Sequence, residues 1–493
     1  MKKNKFVCKN FFVVIVALNL IMHLASVGAN DEFKQWMQNQ STGVMVEKKS
    51  FQEYKDKRDK DFTNFLKAQW KAVDIVKGKV RDEAPKPDVM PVVTPSVEPP
   101  TPVDKPVFIV VPKPEAIKTP VVAPLVVAPK GKSIRVDFFG KQVQFYYDEK
   151  LKQRLDANIN KNSVSSYWSA LSKTDYENLL KQLSAQKKSL QLNDWAYASL
   201  INKLATGINN SNRNESALLS WFLLAKSGYK ARIAYNDSSI YLLVPSKQEM
   251  FEISYFTFDS VRYYAVEFDG NKQALGQVYT YDGEYPNTTK NFDMQVTSVV
   301  ASSNKDEQRH LSFKFEGKTY NINVTYDSGR VKFFSTYPQL NLNMYFDSGV
   351  YKVTATPLQK QLASHMQNMS EQQAVNFLLR FVQTSLKYET DEQQFGEENY
   401  LFPEETLFYP YSDCEDRAIL FAWLVQSLLK LQVVGLDFPG HVATAVNFNG
   451  PVKGDSVTYQ GKHFVIADPT YINANVGMTM PKLKQYKPVV INY

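Results

Sequence analysis

Alternation of apolar and polar positions predicts paired strands at two places. SIRVDFFGKQVQFYYD, from Ser133, and HLSFKFEGKTYNINVTYD, from His310, each put apolar side chains at every second position on both sides of a glycine. That is the pattern of a hairpin with one buried face. The two stretches align without gaps at an offset of 177, pairing Ile134 with Leu311, Val136 with Phe313, Phe138 with Phe315, Gly140 with Gly317 and Lys141 with Lys318. The same offset brings NDWAYASLINKL, from Asn193, onto SEQQAVNFLLRF, from Ser370, each an amphipathic helix behind a capping residue. At the next helix, ALLSWFLLAKSGYKARIAY from Ala217 meets AILFAWLVQSLLKLQVVGL from Ala418 at an offset of 201. Ordered matches of this kind indicate an internal duplication, with 24 extra residues in the second copy ahead of Cys414. The expected fold class is α+β, in two tandem units over residues 131–305 and 306–493.

Two segments of different character precede these units. Residues 30–82 are polar and heavily charged, with Phe62, Phe65, Leu66, Trp70 and Val73 at helical spacing, which predicts a solvated helix with one narrow apolar stripe. Residues 83–130 hold thirteen of the 24 prolines. Proline fixes φ and removes a backbone donor, so this stretch is expected to be a stiff polyproline-like spacer reaching on the order of 140 Å.

The first 29 residues place a basic start before an apolar run from Phe11 to Leu24 and a small-residue exit at Val27-Gly28-Ala29, which reads as a secretory signal peptide cut after Ala29. The run is shorter than the ~20 residues a membrane span needs, and Asn19 interrupts it. The expected location is therefore outside the cytoplasm, in the periplasm or at the cell surface, with no transmembrane helix in the mature chain. Losing the four lysines of the leader lowers the formal net charge from +8 to +4, which gives no electrostatic case for nucleic acid. Cys8 leaves with the leader, so Cys414 remains alone and no intramolecular disulfide can form.

The neighbours of that cysteine point to chemistry. YPYSDCEDRAILFAWLVQSLL passes from a polar, acidic opening to a run apolar almost all round, which predicts the start of a buried helix capped by Ser412 or Asp413. Cys414 then lies in the first turn, where free N–H groups and the helix dipole favour a thiolate. Downstream, PGHVATAVNF starts a strand at His441, and GKHFVIADPTY ends one at Asp468. Paired antiparallel about a turn between Gly454 and Asp455, they would set His441 and Asp468 directly opposite each other, as neighbours on one face. The four histidines outside the leader (His310, His365, His441, His463) and one cysteine show no metal-ligand spacing, and neither metal nor cofactor is expected.

CEDRA opening a buried helix, then Gly-His on a strand, then Asp-Pro-Thr-Tyr ending the next, resembles the transglutaminase-like superfamily of papain-like thiol enzymes over roughly residues 399–476. The resemblance implies Cys414 as nucleophile, His441 as general base and then acid, and Asp468 as the carboxylate that orients the ring. It makes Asp416 a structural residue of the helix start and offers Tyr409 or Tyr411 for the oxyanion. Carried into the first unit, the 201 offset replaces the triad by Arg213, Ile240 and Glu267, so that unit is expected to be degenerate. The implied activity is acyl transfer at an amide of a peptide or protein substrate, cell-envelope or peptidoglycan material included. Peptide or isopeptide hydrolysis comes first, transamidation second, and a non-enzymatic envelope scaffold is the alternative of another class.

Overall fold

In the computed structural model, the described residues are 31–80, 86, 89–93, 130–269, 276–296 and 306–493. The expected signal peptide, residues 1–29, and most of the proline-rich stretch lie outside them. By internal contacts the chain divides into two units, Met1–Phe62 and Thr63–Tyr493. The first, as far as it is described, is helical, belonging to the helix Asp31–Ala68. No described helix is long and apolar enough to cross a membrane.

The charged segment departs from expectation at its end. Trp70 and Val73 continue the helical spacing of Phe65 and Leu66, yet the helix stops at Ala68 and Lys71–Val73 forms strand β1. Tertiary packing decides this: Val73 covers a cluster of Ala234, Tyr241, Leu243 and Tyr263, and the Trp70 ring lies 5.0 Å from that of Tyr281. An apolar strand edge outweighs the weak preference of a short segment for helix.

Within Thr63–Tyr493 a hairpin, a capped helix, a core helix and five sheet strands occur twice in that order, with different intervening helices. Strands β2 (Lys132–Phe138) and β3 (Lys141–Tyr147) form a hairpin, and the helix Asp194–Ile208, N-capped by Asn193, lies on it. A core helix, Arg213–Lys226, follows its N-cap Asn212 and leads into β4 (Arg232–Tyr235), β5 (Ile240–Ser246), β6 (Tyr255–Phe258), β7 (Val261–Val266) and β8 (Val278–Thr280). These strands form an antiparallel sheet in the order β1-β8-β4-β5-β7-β6.

The second series opens with the hairpin of β9 (Asp306–Phe315) and β10 (Lys318–Asp327), on which the helix Glu371–Ser385 packs behind its N-cap Ser370. Both hairpins turn on two residues of positive φ, Phe139-Gly140 (52° and 90°) and Glu316-Gly317 (47° and 77°), the geometry that a right-handed strand twist favours. The insertion carries two short strands, β11 (Lys387–Tyr388) and β12 (Tyr411–Ser412), and the helices Asp391–Phe395 and Pro403–Phe408. Then come the core helix Cys414–Leu429 and strands β13 (Gln432–Phe438), β14 (His441–Asn447), β15 (Ser456–Tyr459), β16 (Lys462–Ala467) and β17 (Val489–Ile491), in the order β15-β16-β14-β13-β17. Counted from its own core helix, and leaving β1 aside, each sheet runs fifth-first-second-fourth-third. The α+β class holds. The two series pack as one body: the Tyr337 hydroxyl donates to Met294 O at 2.8 Å and accepts from Asn193 Nδ2 at 2.9 Å.

Candidate active site

The second core helix is buried almost all round, with Ala418, Leu420, Phe421, Ala422 and Leu424 fully covered, which is why its sequence shows no polar face. Asp413 is its N-cap and Cys414 its first residue, without exposed surface. Asp416, three residues on, accepts from the N–H groups of Leu401 (2.9 Å) and Asp413 (3.4 Å), a structural tie between the helix start and the insertion. The Cys414 thiol lies 3.1 Å from Glu415 Oε2, and the Val442 N–H, next to His441 in the chain, favours the thiolate.

His441 begins β14 because the chain reverses at Pro439-Gly440, where glycine supplies the positive φ of 69°. Its Nε2 lies 2.9 Å from Asp468 Oδ2, and both side chains are buried. The other Asp468 oxygen accepts from the N–H groups of Thr470 (2.9 Å) and Tyr471 (3.1 Å), so the turn after β16 fixes the carboxylate. With Nε2–H donating to Asp468, Nδ1 carries the free lone pair of the neutral ring, and that atom is buried without a hydrogen-bond partner.

The pair meets by a different register from the expected one. Strands β14 and β16 align Thr444 with Ala467, so Asp468 stands opposite Ala443, two residues along from His441. The reason is β15: β16 makes its hairpin with β15 about Gln460-Gly461, and nothing turns directly from β14 into β16 at Gly454. A slip of two keeps the same face and leaves the side chains in reach.

The charge around the thiol also departs from expectation. Burial first, then the carboxylates of Glu415 and Asp413, hold the Cys414 thiol well above the ordinary cysteine range, against the opposing pull of Lys86 and the Val442 N–H. The helix N-terminus is present, but the acids that open it outweigh the dipole. Lys86, from the proline-rich stretch, is the cation in their midst, with its side chain only 6% exposed. Its Nζ lies 2.7 Å from Asp413 Oδ2, 2.9 Å from Glu415 Oε1 and 3.9 Å from Asp391 Oδ2, and it also bonds Glu398. Burial alone would lower its pKa, but Glu415, Asp413 and the other acids raise it above the ordinary lysine value. Two carboxylate groups here, Asp391 with Asp413 and Asp416, and Glu398 with Asp413 and Glu415, come close enough together to hold an ion. Lys86 bonds all three members of the second.

Sequence reasoning missed Lys86, since a proline-rich context signals a spacer, and it missed Tyr388. The Tyr388 hydroxyl is buried without a partner, and burial followed by the nearby Cys414, Asp413 and Glu415 raises its pKa. Strand β11 carries it there by pairing parallel with β12, which ends two residues before Cys414. Of the two tyrosines weighed from sequence, the Tyr409 ring packs on Phe395 and Phe408, and the Tyr411 ring faces Lys387. Gln383, fully buried, ties the site to the helix Glu371–Ser385 by donating to Asp468 O (2.9 Å) and Ala474 O (3.0 Å).

In the first series the equivalent positions keep their places. Arg213 opens the core helix, Ile240 opens β5, and Glu267 directly follows β7. Arg213 Nη2 lies 2.5 Å from Glu267 Oε1. The chain matches no protein-family model, no curated protein and no solved structure.

Proposed function

We propose that this protein is an exported thiol enzyme of transglutaminase-like type, in which Cys414, His441 and Asp468 transfer an acyl group from an amide of a peptide or protein. The observation that carries the reading is the His441–Asp468 pair, 2.9 Å apart at Nε2, with the Nδ1 atom buried and without a hydrogen-bond partner. His441 takes the thiol proton, and sulfur attacks the carbonyl carbon. As the C–N bond breaks, the imidazolium protonates the leaving amine and a thioester remains. Water, deprotonated by His441, then forms the C–O bond and releases the thiol. Hydrolysis of a peptide or isopeptide bond is the first reading, in periplasmic or cell-surface material. Transamidation to a primary amine is second.

The fold we infer is two tandem papain-like units, residues 131–305 and 306–493, of which the first has lost its chemistry. Support comes from the shared strand order and from the Arg213–Glu267 ion pair at two of the three triad positions. The experiment is to offer a peptide library with a labelled primary amine and follow product masses, wild type against Cys414→Ala. Thiol-dependent hydrolysis is the expected result; amine incorporation outrunning it makes transamidation the activity, and neither product from any peptide favours the scaffold.

A further inference from the structure

Two described pieces of the proline-rich stretch, Lys86 and residues 89–93, contact the second unit near Cys414 and near Asp468. Lys86 grips Asp413 and Glu415, the residues on either side of Cys414. At the other end the Val93 N–H donates to Ile472 O at 2.8 Å and the Ile472 N–H donates to Pro91 O at 3.1 Å, a parallel bridge four residues beyond Asp468. Between them Met90, 7% exposed, is buried among Phe438, Ala443, Phe464 and Tyr471. A charged anchor, a buried apolar side chain and main-chain pairing to a sheet are how an extended peptide is held by a protein.

We infer that the ground between Asp413 and Ile472 is a peptide-binding site for an extended segment carrying a lysine, and that Lys86 with residues 89–93 is its resident occupant, a strap that closes access to Cys414. The inference rests on Cys414 as the nucleophile. The anchor chemistry sets the ligand class: a buried ammonium is shared by the carboxylates of Asp413, Glu415 and Glu398, and removing it takes that charge out of the cluster. An incoming chain that replaces the strap must bring a cation to the same place, and the reach required is that of a lysine side chain.

The test excises the strap after folding. Protease sites are inserted into the full chain within residues 81–85 and within residues 94–129, the folded protein is cut and dialysed, and iodoacetamide labelling of Cys414 is timed. Labelling should quicken about tenfold or more, as for a site previously open at most about a tenth of the time. Adding back the synthetic peptide of residues 84–95 should slow it again, and the same peptide with Lys86→Ala should not. Unchanged or slower labelling after excision overturns the strap, and equal protection by both peptides overturns the lysine anchor. Faster labelling without turnover of any peptide upholds the strap and counts against the catalytic reading.

Discussion

Two core helices in one chain begin at equivalent places, and what stands at each start differs in both charge and cover. In the first, Arg213 meets Glu267 with 48% and 24% of their side-chain surface exposed, and no thiol or imidazole is present. In the second, thiol, imidazole and carboxylate are buried, and the insertion between Ser385 and Cys414 adds Asp391 and Glu398 beside Asp413, and Glu405 near Asp416. A scaffold of hairpin, helices and five-stranded sheet thus tolerates either arrangement. Fold is carried by the apolar positions common to both series, and the chemistry proposed for the second by three positions at the ends of elements, where a side chain changes without disturbing the core.

The strongest way to break this comparison is to remove the thiol on which the proposed chemistry depends. Cys414→Ala should lower kcat by about 10⁴-fold or more, because the groups of a triad act as one unit and the first half has nothing to substitute. Asp468→Asn, which leaves His441 without its orienting carboxylate, should cost about 10²- to 10⁴-fold with the fold intact by circular dichroism. Residual thiol-independent activity in Cys414→Ala would assign chemistry to the first half after all.

Much of this was legible because it is local. Hairpin turns at Gly140 and Gly317, caps at Asn193 and Ser370, and the core-helix cap at Asp413 follow from short patterns whose physics lies within a few residues. The meeting of His441 with Asp468 followed from two such patterns in order. What escaped depends on distant contacts. The β14–β16 register is set by β15, which a direct hairpin omits. The strand at Lys71–Val73 looks like more helix until the sheet edge it covers is known. Lys86 sits in a proline-rich stretch with no local sign of docking, and the raised thiol results first from its own burial and then from Glu415 and Asp413 beside it, a matter of solvation that spacing does not reveal.

A medium-sized effect should sharpen the contrast in the insertion. Glu405 is buried, accepts from the Phe402 N–H at 3.0 Å, and burial followed by the nearby charges of Asp416 and Glu404 raises its pKa well above the ordinary carboxyl value. A carboxyl raised on folding contributes stability below its unfolded pKa and loses it as pH rises through the folded pKa. Glu405→Gln keeps an acceptor for Phe402 and cannot ionise. The variant's melting temperature should match wild type at about pH 5 and exceed it increasingly toward about pH 8. A difference independent of pH would mean that Glu405 stays ionised, with its charge compensated in the fold.

The smallest effect belongs to the ion pair that stands where the first half would hold its nucleophile. Arg213 is half exposed, and such pairs contribute under about 1 kcal/mol, so Arg213→Met should shift the urea midpoint only slightly and leave turnover unchanged. The pH dependence is more telling than the size. Burial raises the Glu267 pKa and Arg213 opposes that rise, so removing the guanidinium should raise it further. By the same linkage, the variant should lose stability relative to wild type as pH climbs above the ordinary carboxyl range, and the gap should close in acid where Glu267 is protonated in both. If instead Arg213→Met costs well over 2 kcal/mol at every pH, against the value expected for an exposed pair, the arginine holds the two halves' shared body together through packing, and its place at the helix start is structural rather than a trace of lost chemistry.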